Sequence, residues 1–242
     1  MDERWDQLYP GGYRFCFSDG AFKPSTDTFL LGGFAETRRG QRVCDLGAGV
    51  GLLGLLLLSR QPSLRVTNID VDERACALSR RSVEANGLTH RVTTVCADLR
   101  CRTDLPPANS FDVCVSNPPY FPVHAGKAAA GARGAARSEL TCTFDELCAA
   151  ASYLLCSGGR FYLIHRAERT VQLLETLRQH RLEPKELQFV QKDACTPPRL
   201  VLLGCRRDGG TGLTVRTPLL LYDESGGESA ALRRIYFKDR GQ

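Results

Sequence analysis

The 242-residue chain has no apolar run long enough to cross a bilayer; its longest, Leu52–Leu58, is broken by Gly54. Behind Met1 stand Asp2, Glu3 and Arg4 rather than a basic and then an apolar stretch, so no secretory signal is expected. None of the 11 cysteines forms a C-x-x-C pair, which leaves no zinc-type ligand spacing. Cys44, Cys96, Cys114 and Cys205 lie inside apolar runs and read as small buried hydrophobes in a reducing compartment. There are 4 histidines, and none stands at motif spacing from a serine, cysteine or carboxylate, so none is assigned to catalysis. No internal repeat and no interdomain linker interrupt the chain. These absences point to a cytoplasmic globular protein with no metal site and no membrane partner. They leave the oligomeric state open.

What is present suits one large α/β domain. Hydrophobic residues make up 43% of the chain, enough for a full core. Lys and Arg number 32 against 27 Asp and Glu, a mild excess that permits an anionic partner without demanding one.

The organising stretch is Asn117-Pro118-Pro119-Tyr120, which follows the apolar run Phe111–Ser116. That run reads as a buried parallel strand, and two prolines without N–H groups must end it. The next residues are held stiffly at the carboxyl end of the strand, where open α/β sheets bind ligands. Asn117 offers an amide oxygen, and the Pro118 carbonyl has no N–H on the next residue beside it. Two such acceptors can grip both hydrogens of an exocyclic amine, and Tyr120 offers a flat face to a planar ring. An ordinary Asx-Pro turn with an incidental tyrosine would look the same in isolation.

Three acidic residues end three further predicted strands. The strand Arg42–Leu46 carries Asp45 and runs into Gly47-Ala48-Gly49-Val50-Gly51, followed by a helix from Leu52 to about Arg60. Strand, glycine turn and helix open a nucleotide-binding unit. A carboxylate before the turn would repel a pyrophosphate; it suits a cationic group, such as the amino group of a methionine moiety. The strand Leu64–Ile69 ends in Asp70, with Val71 beside it, and an acid there can accept two ribose hydroxyls. A helix from Asp72 to Ala85 is closed by Asn86-Gly87, and the strand Arg91–Cys96 leads to Asp98-Leu99, an acceptor for an adenine amine and an apolar neighbour for its ring. Any one of these acids alone reads as a cap; three in register beside a glycine turn do not.

Before them, Tyr13–Phe17 alternates like a strand, and Ser25–Thr28 offer caps for a helix to about Thr37. After Tyr120, residues 121–137 are small, glycine-interrupted and basic; Lys127, Arg133 and Arg137 are candidate phosphate contacts. A helix capped by Thr143 is expected to stop at Ser157-Gly158-Gly159, before a strand Arg160–His165 and a helix Ala167–Arg181. Glu186–Val190 and Leu200–Leu203 read as an antiparallel hairpin at the sheet edge, and Thr217–Tyr222 as a short added strand.

Taken together, Asp45–Gly51, Asp70, Asp98 and Asn117–Tyr120 resemble the class I, S-adenosylmethionine-dependent methyltransferases that modify amino nitrogens. Thr26-Asp27-Thr28-Phe29-Leu30-Leu31-Gly32, Ala136-Arg137-Ser138-Glu139 and Pro218–Tyr222 are similar to segments of the bacterial adenine-N6 methyltransferases acting on adenine 37 of valine tRNA. The resemblance implies a Rossmann-like seven-stranded sheet, mostly parallel with an antiparallel edge strand and helices on both faces. It implies a lead segment, residues 1–40, packed on a methyltransferase domain spanning 41–242. It also implies roles. Asp45, Gly47 and Gly49 would hold the methionine part of S-adenosyl-L-methionine, with Thr26 and Asp27 nearby. Asp70 and Val71 would hold the ribose, Asp98 and Leu99 the adenine, and Asn117, Pro118 and Tyr120 the target base. The alanine-rich stretch departs from the family pattern. A glutamine side chain of a translation factor, a guanine amine of ribosomal RNA and a DNA adenine stay open as other targets.

Overall fold

A computed structural model describes residues 3–18, 25–120 and 142–239. The expected strand–helix alternation is there: β3 (Arg42–Leu46), α2 (Leu52–Arg60), β4 (Arg65–Asp70), α3 (Glu73–Ala85), β5 (Val92–Cys96) and β6 (Phe111–Ser116), preceded by α1 (Thr26–Phe34). After the undescribed stretch come α4 (Phe144–Leu154), β7 (Leu155–Arg166), a short 3-10 turn, α5 (Thr170–Gln179), β8 (Leu182–Gln191), β9 (Leu200–Arg207), β10 (Thr214–Val215), β11 (Leu219–Leu220) and α6 (Ala230–Ile235). In front, β1 (Glu3–Gln7) and β2 (Arg14–Ser18) pair as a separate antiparallel ribbon against α3.

The main sheet runs β10-β8-β9-β7-β6-β3-β4-β5, with β11 also on β8. Strands β5, β4, β3, β6 and β7 are parallel. Chain order departs from β3 toward β4 and β5 on one side and toward β6 and β7 on the other. The gap between the carboxyl ends of β3 and β6 is therefore the topological switch point at which such sheets take ligands.

Burial follows from this layering. Strand β3 is buried from Val43 to Leu46, as a parallel strand covered on both faces must be. On one face, Leu30, Leu31 and Phe34 of α1 share a core with the leucines of α2, which is buried from Leu52 to Ser59. On the other, Leu147 and Leu154 of α4 pack with Leu173 and Leu177 of α5. Among the described residues, no helix is long and apolar enough to cross a membrane.

Two expectations fail, for local reasons. Ser157-Gly158-Gly159 does not separate helix from strand: α4 ends at Leu154, and the glycines lie inside β7. Gly158 has φ +77°, and the β6–β7 register shifts between Phe111 and Val113, so the glycines serve an irregularity in the ladder rather than a helix stop. The antiparallel strand is also not at the edge. β9 is inserted between β7 and β8 and is antiparallel to both.

Candidate functional site

The glycine turn is held through its own backbone N–H groups. Gly47 N and Ala48 N both donate to the Ile69 carbonyl, at 2.9 and 3.0 Å, and Gly49 N donates to Asp70 Oδ2 at 2.7 Å. Gly51 stands at φ +79°, and a Cβ there would lie 2.6 Å from Ser79 Oγ and 2.7 Å from Asn68 Nδ2. Only glycine fits over that buried polar pair. Gly47 has φ +70° but faces the opposite situation: a Cβ would meet nothing within 4 Å. Its open side belongs to a pocket lined by Thr28, Asp45, Gly47, Ala48, Leu52, Leu53 and Asn117.

Asp45 is 1% exposed, and its Oδ2 has no hydrogen-bond partner among the described residues. Burial, then the neighbouring charge of Asp70, pushes its carboxyl up to about 8 against a lesser pull from the Gly54 N–H. A cation placed in the pocket would reverse that cost. Asp70 is raised by burial too, but less simply, because Asp72 N donates to its Oδ1 at 2.9 Å and Gly49 N to its Oδ2. Each carboxylate oxygen keeps a second lone pair, so Asp70 can shape the turn and still accept hydroxyls.

The residues expected to meet the adenine have partners of their own. Both oxygens of Asp98 are clasped by Arg100, with Nε at 2.9 and 3.0 Å and Nη2 at 2.6 Å. That guanidinium lowers the Asp98 pKa and occupies much of the carboxylate. Val71 is 47% exposed, and Leu99 packs half-buried on the α4 side of the sheet.

Across the pocket, Ser116 Oγ donates to the Leu46 carbonyl at 2.7 Å and ties the end of β6 to the end of β3. Asn117 therefore stands beside the Asp45 pocket. Its Nδ2 donates to Thr28 Oγ1 at 3.0 Å. The Tyr120 hydroxyl donates to Asp27 Oδ2, and burial followed by that carboxylate raises its pKa strongly, so it stays a donor. The Tyr120 ring meets His165 edge-on at 5.3 Å between centroids, and the Arg166 guanidinium lies 5.3 Å from its centre. His165 is pushed down to about 4 by burial, then by Arg169 and Arg166, and is neutral at pH 7.

The structure thus brings Asp45, Gly47 and Asn117 to one pocket, with Gly49 and Asp70 behind the turn. Thr26 and Asp27 do not line it: Thr26 Oγ1 accepts from the Tyr236 hydroxyl at 3.1 Å, and Asp27 turns to Tyr120. Thr28 takes the place expected of them. The hydroxyls of Ser25–Thr28 read from the sequence either as helix caps or as groups facing a ligand, and Thr28 does line the pocket. The approach of His165 and Arg166 to Tyr120 left no signal in residue spacing, since these contacts join segments far apart in the chain. Lys127, Arg133 and Arg137, like Ala136–Glu139, lie outside the described residues.

A model of the methyltransferase small domain family matches residues 15–190. The tRNA1(Val) (adenine(37)-N6)-methyltransferase of Parabacteroides distasonis is 30% identical over 184 residues, covering 76% of this chain and 76% of its own. The protein of that name from Erwinia tasmaniensis is 30% identical over 226 residues, covering 87% and 89%. Among solved structures, a predicted O-methyltransferase of Agrobacterium tumefaciens superposes with a TM-score of 0.72 at 21% identity, over 87% of this chain and 95% of that one. TrmN from Thermus thermophilus does so with a TM-score of 0.56 at 22% identity, over 74% and 48%. At these identities the two structures speak for the fold alone.

Proposed function

The chain belongs to the methyltransferase small domain family, and from that premise we propose that it moves a methyl group from S-adenosyl-L-methionine to the N6 amine of an adenine in tRNA, such as adenine 37 of a valine tRNA. The carrying observation is that Asp45 and Asn117 line one pocket, so an anchor for a cation and an acceptor for an amine share a cavity.

The residues fit that donor. Asp45 presents a buried oxygen without a partner among the described residues, Gly47 leaves the space beside it open to them, and Leu52 and Leu53 supply apolar wall. When bound, S-adenosyl-L-methionine supplies a methyl carbon on a positively charged sulfur, so the chain need provide no nucleophile of its own. Asp45 would hold the ammonium end, Asp70 with Val71 the ribose, and Asp98 with Leu99 the adenine, Asp98 sharing its lone pairs with Arg100.

The chain's remaining task is the acceptor amine, whose lone pair is conjugated with its ring and poorly nucleophilic. Asn117 Oδ1 and the Pro118 carbonyl take its two N–H groups and favour a more tetrahedral nitrogen. They also stabilise the positive charge that grows there in the transition state. Tyr120 would give the base a surface to lie on, and fixing the amine in one orientation would lower the barrier further. The base leaves its stack to reach this pocket, as base-modifying enzymes require. Lys127, Arg133 and Arg137, which lie outside the described residues, are the candidate contacts to tRNA phosphates, and the reaction would run in the cytoplasm.

The test is transfer of isotopically labelled methyl to an unmodified tRNA transcript, with nucleosides separated and weighed. Labelled N6-methyladenosine is expected. Label found instead on a glutamine of a translation factor, with none on tRNA, would replace the target and leave the cofactor roles standing.

A further inference from the structure

Two successive side chains of the first turn of α1 reach the Asn-Pro-Pro-Tyr turn: Asp27 takes the Tyr120 hydroxyl, and Thr28 takes Asn117 Nδ2 at 3.0 Å. Thr28 is 2% exposed and lines the Asp45 pocket. Its hydroxyl is not spent on capping. The N-cap of α1 is Ser25, which makes no side-chain cap bond, and Ser25 Oγ lies 3.4 Å from Thr28 Oγ1. The polar atoms thus form a short chain, from Asn117 Nδ2–H to Thr28 Oγ1 and on to Ser25 Oγ, a pair in which either hydroxyl can donate.

A carboxamide has one accepting end and one donating end of nearly the same shape, so packing alone does not tell them apart. Only the oxygen can take an N–H from a substrate amine; Nδ2 turned the same way would set donor against donor. We propose that Thr28 is a positioning residue for methyl transfer, accepting Nδ2–H so that Asn117 Oδ1 faces the substrate amine. The inference rests on the amine-transfer reading above and adds to it a residue on another element, which acts through Asn117.

Thr28→Val keeps the branched shape and removes the hydroxyl, Thr28→Ser keeps the hydroxyl, and each is made with and without Asn117→Ala. Single-turnover rates are measured with saturating tRNA and cofactor, and cofactor affinity by calorimetry. Thr28→Val is expected to slow transfer about tenfold, the worth of one buried hydrogen bond, with cofactor affinity little changed. Thr28→Ser should restore most of the rate. In the Asn117→Ala background, Thr28→Val should cost nothing more, because the amide it orients is gone. A mere packing role would not produce that loss of additivity. If the valine variant loses its cooperative unfolding transition, Thr28→Ala takes its place in the same cycle. A wild-type rate in Thr28→Val, or a tenfold loss that persists in full beside Asn117→Ala, overturns the inference alone. Failure of the unmutated protein to methylate any tRNA adenine overturns the proposed function, and the inference with it.

Discussion

The two walls of the pocket are held in different ways. The wall expected to grip the cofactor is held mostly by backbone: Gly47 N and Ala48 N donate to the Ile69 carbonyl and Gly49 N to the Asp70 side chain, across no more than about one strand–helix unit of chain. The wall expected to grip the acceptor is fastened by side chains from far away: Asn117 to Thr28 across 89 positions and Tyr120 to Asp27 across 93. Backbone grips survive most single substitutions, because the N–H groups remain whatever the side chain. Side-chain grips can be cut one atom at a time. Substitutions on the acceptor wall should therefore change rate at constant affinity, whereas the cofactor wall should respond mainly where a charge or a glycine is removed.

The sharpest way to break this contrast is Asn117→Ala. Removing one preorganised polar partner of a developing charge should lower turnover by about 10²-fold and leave cofactor affinity nearly intact. Asn117→Asp refines it: Thr28 can donate to a carboxylate, and an acceptor stays in place, but the charge costs desolvation in a closed pocket. If acceptance alone matters, the aspartate retains more activity than the alanine. Normal single-turnover methylation by Asn117→Ala would reduce the Asn-Pro-Pro-Tyr stretch to a rigid turn.

On the cofactor wall the corresponding change is Asp45→Asn. It deletes a charge-assisted contact, for which roughly 1.5–3 kcal/mol of affinity is expected, or about 10- to 150-fold in Kd. It also removes a buried acid with an oxygen unpaired among the described residues, so the protein without cofactor should unfold at no lower temperature than before. Calorimetry and a melting curve on one preparation read both. A variant with unchanged Kd would take Asp45 out of the binding site.

This contrast also explains what could be read from the chain beforehand. Asp45, the glycine turn, Asp70 and Asn117–Tyr120 each lie at a strand end, where contiguous residues show both the element and its stop. The capping box at Thr143 and the Asn86-Gly87 stop were legible for the same reason. The partners of Asn117 and Tyr120 were not, because Thr26, Asp27 and Thr28 are indistinguishable as capping candidates until the helix is docked. Docking sends Thr26 to Tyr236, Asp27 to Tyr120 and Thr28 to the pocket. Position of the antiparallel strand was hidden likewise: local pattern shows that β8 and β9 form a hairpin, but not which of them pairs with β7.

A smaller effect follows from protons. Burial and the charge of Asp70 push the Asp45 carboxyl up to about 8, which favours its protonated form at pH 7. An ammonium favours the ionised form, and binding must expel the proton. Affinity should rise as pH goes from 6 to 8, by at most about tenfold per unit, and flatten where Asp45 is already ionised and the ligand's own amine begins to lose its proton. Binding heats at pH 7 in buffers of different ionisation enthalpy should report release of a proton. Heats independent of the buffer would mean that Asp45 is already ionised without ligand, or that it never meets the ammonium.

The smallest effect is expected at Asp98, where the cofactor wall ceases to be backbone and becomes an exposed ion pair. Arg100 clasps both carboxylate oxygens, and its own N–H also donates to Asp98 Oδ1 at 2.9 Å. An adenine amine must share those lone pairs with the guanidinium. Arg100→Gln frees them while keeping the backbone bond, so affinity for S-adenosylhomocysteine should tighten, but by less than about fivefold, since exposed pairs are worth little. Asp98→Asn, which replaces an accepting oxygen by a donating nitrogen, should loosen binding by a similar factor. Opposite signs in the two variants would place the amine on the Asp98 carboxylate. If instead both variants bind as the unmutated protein does, Asp98 serves only to close the turn after β5, and the adenine rests on apolar contact with residues such as Val71 and Leu99.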